Sequence, residues 1–247
     1  MKNKKRLDVK RLDVVIFEKG LAQTRTKAQA YIMSGCVCVN GQPALKAGTP
    51  VCKEDIIEIK NANPYVSRGG LKIESALNAL NIDVSGFICL DIGASTGGFT
   101  DCMLQKGASK VYAVDVGEKQ LHYKLCKDPR VINVENVNFR YFDVSLIKDP
   151  IDFAAIDVSF ISLDKILPAA YKSIKDGGKV LAMIKPQFEL TASEVKKGVV
   201  RDETLRQKAI NKIKTFALTL GFTLISETDS GLKGPKGNIE HFILLQK

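Results

Sequence analysis

Short apolar runs recur along the second three-quarters of the chain, separated by stretches with helical spacing. The runs at 87–92, 110–115, 131–134, 152–157 and 178–184 predict strands, and helices fill the gaps, most clearly over 203–219. Five strands joined through helices predict a parallel, doubly wound α/β sheet. Two final runs, 222–228 and 239–246, flank the loop SGLKGPKGN and predict a hairpin that adds an antiparallel strand.

The front of the chain has a different pattern. Apolar residues Leu12, Val15 and Ile16 are spaced for a helix that stops at Gly20, and a second short helix is predicted from Thr24 to Gly35. Alternating apolar and polar residues then surround Asn40-Gly41, a strong hairpin signal. Asn61-Ala62-Asn63-Pro64 reads as a polar linker, because proline restricts its predecessor and ends regular structure. The expected division is a small α+β domain at 1–60 with a basic N-terminal extension, a linker at 61–66 and an α/β domain at 67–247.

Charge sharpens that division. Of the net +10, residues 1–60 contribute twelve Lys/Arg against six Asp/Glu, so the excess is concentrated at the front. Such density points to a polyanion, most simply nucleic acid. Arg25 and Lys27 open the second helix beside the hairpin, where they and the helix N-terminus are expected to face a phosphate backbone. No apolar run approaches the roughly 20 residues that span a bilayer. The basic N-terminus leads to only four consecutive apolar residues, too few for a signal peptide, so a cytoplasmic location and no membrane contact are expected. Six cysteines without a C-x-x-C pair predict reduced, mostly buried thiols, neither metal ligands nor disulfides.

The chemistry is concentrated at strand ends. CLDIGASTGGF, residues 89–99, reads as a buried strand ending at Asp91 and a glycine-rich turn at Gly93, Gly97 and Gly98. The spacing is not the G-x-G-x-x-G that brings a pyrophosphate onto a helix. A carboxylate there repels phosphate and suits a cationic methionine moiety, so S-adenosylmethionine fits better than NAD. Asp115 ends the second strand about 20 residues beyond the turn, the spacing of a ribose-binding acid, and Asn138 after the third strand is placed for adenine. Ser95, Phe99 and Val116 complete the candidate cofactor residues. Asp157 and Lys185 end the fourth and fifth strands and are expected to project over the same crevice. A lysine after VLAMI is costly unless an anion pairs with it, and Asp157 is the obvious partner. Lys72 and Glu240 begin elements flanking the same edge.

The front segment resembles the S4 RNA-binding domain through Arg11-Leu12-Asp13, Gly20-Leu21, Arg25-Thr26-Lys27-Ala28, Gly35, Val39-Asn40-Gly41 and Lys46. With SRGGLK, LDIGASTGGFTD, VYAVDVG, DVSFISL, MIKPQFE, KKGVVRD and LKGPKGNIE, nearly the whole chain resembles the TlyA family, also called haemolysin A. These are ribosomal RNA 2′-O-methyltransferases with an S4 domain joined to an FtsJ-like catalytic domain. The resemblance implies a class I, Rossmann-like methyltransferase sheet, S-adenosylmethionine as cofactor and ribosomal RNA as partner. It places the family's Lys-Asp-Lys-Glu catalytic set on Lys72, Asp157, Lys185 and Glu240. It also implies cytidine 2′-hydroxyls in large-subunit RNA, and in some members small-subunit RNA. Candidate RNA-binding residues are Arg11, Arg25, Lys27, Asn40 and Lys46 at the front and Arg68, Lys233 and Lys236 in the second domain.

The transfer requires a ribose hydroxyl to attack a sulfonium methyl in line, so a base or a cation stabilising developing alkoxide must lie near that hydroxyl. Lys185 is the best candidate, either as general base or as electrostatic orienter. Rival readings are a haemolysin or cytotoxin, a non-catalytic S4 RNA-binding protein and, weakest, an NAD-linked oxidoreductase. A monomer is expected.

Overall fold

The computed structural model of the chain describes residues 9–33, 35–60, 63–234 and 236–247. The first eight residues, Ser34 near the end of the expected second helix, Asn61 and Ala62 of the expected linker, and Pro235 lie outside the described residues. The chain divides into two compact units at Asn63/Pro64.

The first unit begins with β1 (Lys10–Arg11), α1 (Leu12–Glu18) and α2 (Arg25–Met33). The Thr24 hydroxyl caps α2 by accepting from the Lys27 N–H at 3.1 Å, so the helix proper starts one residue after the expected threonine. Then come β2 (Val37–Val39), β3 (Gln42–Pro43), β4 (Pro50–Val51) and β5 (Ile57–Ile59). Asn40 and Gly41 join β2 to β3 with φ of 51° and 77°, the paired positive values that a tight hairpin turn needs. Leu12, Ile16, Ala28, Ile32 and Val37 are completely buried and form this unit's core.

The second unit continues with α3 (Arg68–Ala79), β6 (Ile88–Ile92), α4 (Gly98–Gln105), β7 (Lys110–Val114), α5 (Tyr123–Cys126), β8 (Val131–Val134), β9 (Ile151–Ile156), α6 (Leu167–Ser173), β10 (Ile174–Ile184), α7 (Pro186–Glu189), α8 (Glu203–Thr219), β11 (Thr223–Asp229) and β12 (His241–Gln246). Seven strands form one sheet in the order β11-β12-β10-β9-β6-β7-β8. The five consecutive strands β6 to β10 pair in parallel, and β12 runs antiparallel between β10 and β11. Residues expected as the last hairpin therefore do pair, and one of its strands inserts into the sheet.

Both faces of the sheet are covered. Leu90, Ile92, Ala182 and Ile243 face a cluster that includes Ile210 and Ile213 of α8, while Cys89, Val111, Leu181 and Phe242 face Ile73 and Leu77 of α3 and Met103 of α4. Alternation along each buried strand sends successive side chains to opposite cores. Helix α8 begins where Asp202 accepts from the N–H groups of Thr204 and Leu205, matching the expected helix residue for residue. Strand β10 starts at Ile174 rather than 178, because its pairing with β9 shifts register between Ile174 and Lys179 and carries the strand past Gly177 and Gly178.

Residues 64–66, expected in the linker, belong to the second unit. Tyr65 is buried, and the Val66 N–H donates to the buried Asp101 carboxylate at 2.9 Å. No disulfide joins the described cysteines, but Cys36 and Cys52 are only half-buried and Cys126 is exposed, because the expectation of burial rested on apolar neighbours in sequence. No helix among the described residues is long and apolar enough to cross a membrane.

Candidate active site

The carboxyl ends of β6, β7, β9 and β10 open onto three adjoining cavities. The first lies between the start of α3 and the glycine turn and is bordered by Arg68, Lys72, Ser95, Phe99, Asp157 and Lys185. The second, of about 480 Å³, lies over β7 and is bordered by Asp115, Val116, Val137, Asn138, Phe160 and Ile161. The third, of about 460 Å³, is bordered by Lys72, Lys185, Phe160, Phe188, Lys236 and Glu240. Asp157 and Ser159 border all three. Ligands of open α/β sheets bind at this edge, where loops leave the strands.

Two ion pairs lie at the junction. Lys185 Nζ is 2.5 Å from Asp157 Oδ1, and Lys72 Nζ is 2.5 Å from Glu240 Oε2. Lys72, Lys185 and Glu240 are all buried, although they reach the junction from α3, the end of β10 and the start of β12. Desolvating two lysines and two carboxylates is expensive, and well-packed apolar residues would serve stability as well or better. Two such pairs side by side at a cavity therefore point to chemistry. The loop before Glu240 is braced by Asn238, 3% exposed, whose carboxamide accepts from the Val200 N–H and donates to the Gly198 carbonyl.

The glycines expected to let a ligand approach the backbone are required first by the protein's own packing. Gly93 (φ +86°) and Gly97 (φ +90°) occupy the left-handed region. A Cβ on Gly93 would come 2.7 Å from the Asp157 carbonyl oxygen, and one on Gly97 would come 2.2 Å from Leu125 Cδ1. A Cβ on Gly98 would meet Ser67 Oγ at 2.2 Å, where α4 begins against α3. These glycines make room first for protein neighbours, and the ligand cradle results from the close packing.

Asp91 is also placed differently. It is completely buried and does not border the three cavities, because its Oδ2 is drawn inward to accept from the Thr100 N–H at 2.8 Å and the Thr100 hydroxyl at 2.6 Å. Its Oδ1 is buried with no hydrogen-bond partner among the described residues. Burial, reinforced by the nearby Asp157 and Asp115 charges, outweighs the Thr100 bonds and pushes the Asp91 carboxyl up to about 7.

Asp115 does border the second cavity. Its two oxygens accept from the Ser95 and Gly117 N–H groups at 2.8 and 2.7 Å, leaving further lone pairs for a ligand. Asn138 uses Oδ1 to cap the Arg140 N–H, and its amide nitrogen has no such role there. A carboxylate at one end and Val116, Val137 and Ile161 along the walls fit a nucleoside with a cationic tail. Asp115 and Asn138 would hold the nucleoside, and the glycine turn would hold the amino-acid end. The unpartnered Asp91 oxygen supplies negative potential just behind that turn, which suits a sulfonium.

The candidate RNA residues divide by environment. In the first unit Asp13 is completely buried and accepts from Arg11 Nε at 3.0 Å, Arg25 Nε at 2.9 Å and Gln29 at 2.7 Å. Burial alone would raise the Asp13 carboxyl, but these donors hold it well below the usual carboxylate range. Arg11 and Arg25 are thus fixed by a buried anchor while about half of each side chain stays exposed. Asn40 is exposed and engaged within the unit, donating to Asp55 and accepting from the Ile56 N–H. Lys27 lies over the Tyr31 ring, and Lys46 is exposed. In the second unit exposed Arg68 borders the first cavity and donates to the carbonyl of exposed Lys233, and exposed Lys236 borders the third cavity.

Three site residues escaped the sequence reading. Ser159 accepts from Lys185 Nζ at 2.8 Å, Phe160 is 91% exposed between the second and third cavities with φ +62°, and Gln187 borders the third cavity. Their signal was present only as position: Ser159 and Phe160 lie two and three residues beyond the expected catalytic aspartate, and Gln187 follows the lysine by two.

The FtsJ-like methyltransferase family matches residues 65–247, and the S4 domain family matches residues 10–57. Hemolysin A of Brachyspira hyodysenteriae is 44% identical over 239 residues, covering 95% of this chain and 100% of that protein. The 16S/23S rRNA (cytidine-2′-O)-methyltransferase TlyA of Mycobacterium tuberculosis (strain ATCC 25618 / H37Rv) is 38% identical over 239 residues, covering 96% of this chain and 89% of that protein. A solved hemolysin-named structure from Streptococcus thermophilus is 44% identical with a TM-score of 0.76, covering 97% of this chain and 88% of that one. An S-adenosylmethionine-dependent methyltransferase from Mesorhizobium loti shares the fold at 13% identity and a TM-score of 0.53, over 70% of this chain and 96% of that one.

Proposed function

Because the chain belongs to the FtsJ-like methyltransferase family and carries an S4 domain ahead of the catalytic unit, we propose that it methylates a cytidine ribose 2′-hydroxyl in ribosomal RNA. The observation that carries this reading is the junction of the cavities, where the Lys185–Asp157 and Lys72–Glu240 pairs flank one meeting point. S-adenosylmethionine is the cofactor that fits the first two cavities, and it supplies an electrophilic methyl group.

The chain's own residues do the remaining work. Asp115 and the turn at 93–98 fix the cofactor, leaving the third cavity for the acceptor ribose. Lys185 faces the junction, where as a neutral amine it takes up the proton of the attacking hydroxyl or as an ammonium it stabilises the developing alkoxide. Asp157 holds the Lys185 ammonium, and Glu240 holds Lys72 so that the second cation stays close without competing for the same carboxylate. Much of the rate comes from alignment, since holding nucleophile and electrophile in line converts an encounter into an intramolecular step. Arg11, Arg25, Lys27 and Lys46 supply sequence-independent attraction to RNA, with Arg68, Lys233 and Lys236 around the catalytic rim. A cytoplasmic location belongs to the same reading.

The test is methyl transfer from radiolabelled S-adenosylmethionine to purified ribosomal subunits, with the modified position mapped. Label at a cytidine ribose supports the reading. Absence of transfer to either subunit, with cofactor binding intact, contradicts it.

A further inference from the structure

Segment 157–163 is held at both ends. The Asp157 N–H donates to the Ile92 carbonyl at 3.0 Å, extending the link between β9 and β6. At the other end the Leu163 N–H donates to the buried Glu189 carboxylate at 2.9 Å, and the Ser162 hydroxyl donates to the same group. Between these anchors Phe160 has φ +62°, a left-handed conformation that a bulky aromatic adopts only where its surroundings dictate it. Ser159 therefore sits on a short, constrained span.

Its hydroxyl meets Lys185. An ammonium has three N–H directions. In Lys185 one donates to Ser159 Oγ at 2.8 Å, while Asp157 Oδ1 lies 2.5 Å from the nitrogen as an ion pair without a hydrogen bond. The others are left for the ion pair and the cavities, and among the described residues Ser159 shares with Asp157 alone the property of bordering all three. A carboxylate by itself leaves the ammonium free to turn about its last carbon–nitrogen bond. A second contact from a different direction removes that freedom. A hydroxyl also both accepts and donates, so it can hold the nitrogen as a charged ammonium or as a neutral amine, whereas ionised Asp157 only accepts.

From this geometry we propose that Ser159 is a positioning residue that aims the free direction of Lys185 Nζ at the acceptor hydroxyl. The role rests on the function proposed above, and it makes Ser159 part of the reaction without direct bonding to the transferred group. Other charges facing Lys185 across the first and third cavities are Lys72, Glu240, Arg68 and Lys236. Replacing Ser159 leaves all of them in place.

The experiment compares the parent with Ser159→Ala and Ser159→Thr in single-turnover methylation of ribosomal RNA, at saturating cofactor and RNA and across pH. A slightly misaimed group costs about 10- to 100-fold in rate, so Ser159→Ala should lose about that much, with unchanged affinity for S-adenosylmethionine and RNA. Ser159→Thr, which keeps the hydroxyl, should recover most of the rate. A hydroxyl accepting from an ammonium favours the charged form. Its loss should therefore move the Lys185-governed limb of the pH profile to lower pH, whichever form of the lysine reacts. NMR titration of Lys185 Nζ in parent and Ser159→Ala reads the same shift without requiring activity. A parent inactive on ribosomal RNA would thus defeat the proposed function, while the titration would still decide the contact. Parent saturating rate with an unmoved titration in Ser159→Ala overturns the proposal, as does a loss confined to cofactor affinity.

Discussion

Asp91→Asn should make the catalytic unit more stable at neutral pH while weakening its hold on S-adenosylmethionine. The parent carboxyl is completely buried and pushed up from 3.8 to about 7 by burial, with Asp157 and Asp115 adding to the effect. A raised carboxyl costs nothing below about pH 4, where it is protonated in both folded and unfolded chains. The penalty accumulates as pH rises from there and is complete above about pH 7. About three units correspond to about 4 kcal/mol at 1.36 kcal/mol each. Asparagine keeps the acceptor for Thr100 but places an amide N–H group where Oδ1 has no partner among the described residues, at a cost of about 1–3 kcal/mol. The variant's net gain at pH 8 is therefore about 1–3 kcal/mol, and the gap between variant and parent should widen by about 2–3 kcal/mol from pH 5 to pH 8. Urea unfolding followed by far-ultraviolet circular dichroism at the two pH values measures it, with calorimetry for cofactor affinity. A gap that is flat with pH would refute the assignment of an ionised, uncompensated Asp91.

Asp115→Ala removes a carboxylate that organises the Ser95 and Gly117 N–H groups, so S-adenosylmethionine affinity by calorimetry should fall at least about tenfold while RNA binding persists. Gly97→Ala imposes both a left-handed alanine and a Cβ 2.2 Å from Leu125, and should lower stability by about 2–3 kcal/mol in denaturant unfolding. Asp13→Ala should weaken RNA binding by releasing Arg11 and Arg25, and destabilise the first unit by about 1–3 kcal/mol at pH 7. Since Asp13 is held below its usual range, its contribution is present above about pH 4 and lost as pH falls toward its folded value, so parent and variant should converge in acid. Lys27→Glu should reduce RNA affinity and flatten its salt dependence with cofactor affinity unchanged, read by binding titrations at several salt concentrations.

Much of the architecture was legible because it depends on local patterns. Strand 131–134 and helix 203–219 follow directly from apolar spacing, and Asn40-Gly41 specifies its own turn. The Lys185–Asp157 pair was legible because a lysine after five apolar residues demands an anion. Lys72 and Glu240 lie 168 residues apart and meet only through the packing of α3 beside β12, which no local pattern encodes. Likewise, the sequence marks Gly97 and Gly98 as special but cannot tell a ligand from Leu125 or Ser67 as the reason. Asp91 illustrates the same limit: its position at a strand end was readable, whereas its inward turn toward Thr100 depends on where α4 begins.

The central claim, that Lys185 acts in methyl transfer to a ribose hydroxyl, is tested most directly by single-turnover transfer from radiolabelled S-adenosylmethionine to ribosomal RNA with parent and Lys185→Met, followed by alkaline hydrolysis of the product. A 2′-O-methyl group blocks alkaline cleavage of the adjoining phosphodiester, so parent label should be recovered in an alkali-resistant dinucleotide. Lys185→Met should bind cofactor and RNA like the parent yet transfer at least about 100-fold more slowly. Label recovered in alkali-sensitive nucleotides, or transfer by Lys185→Met at the parent rate, would contradict the account.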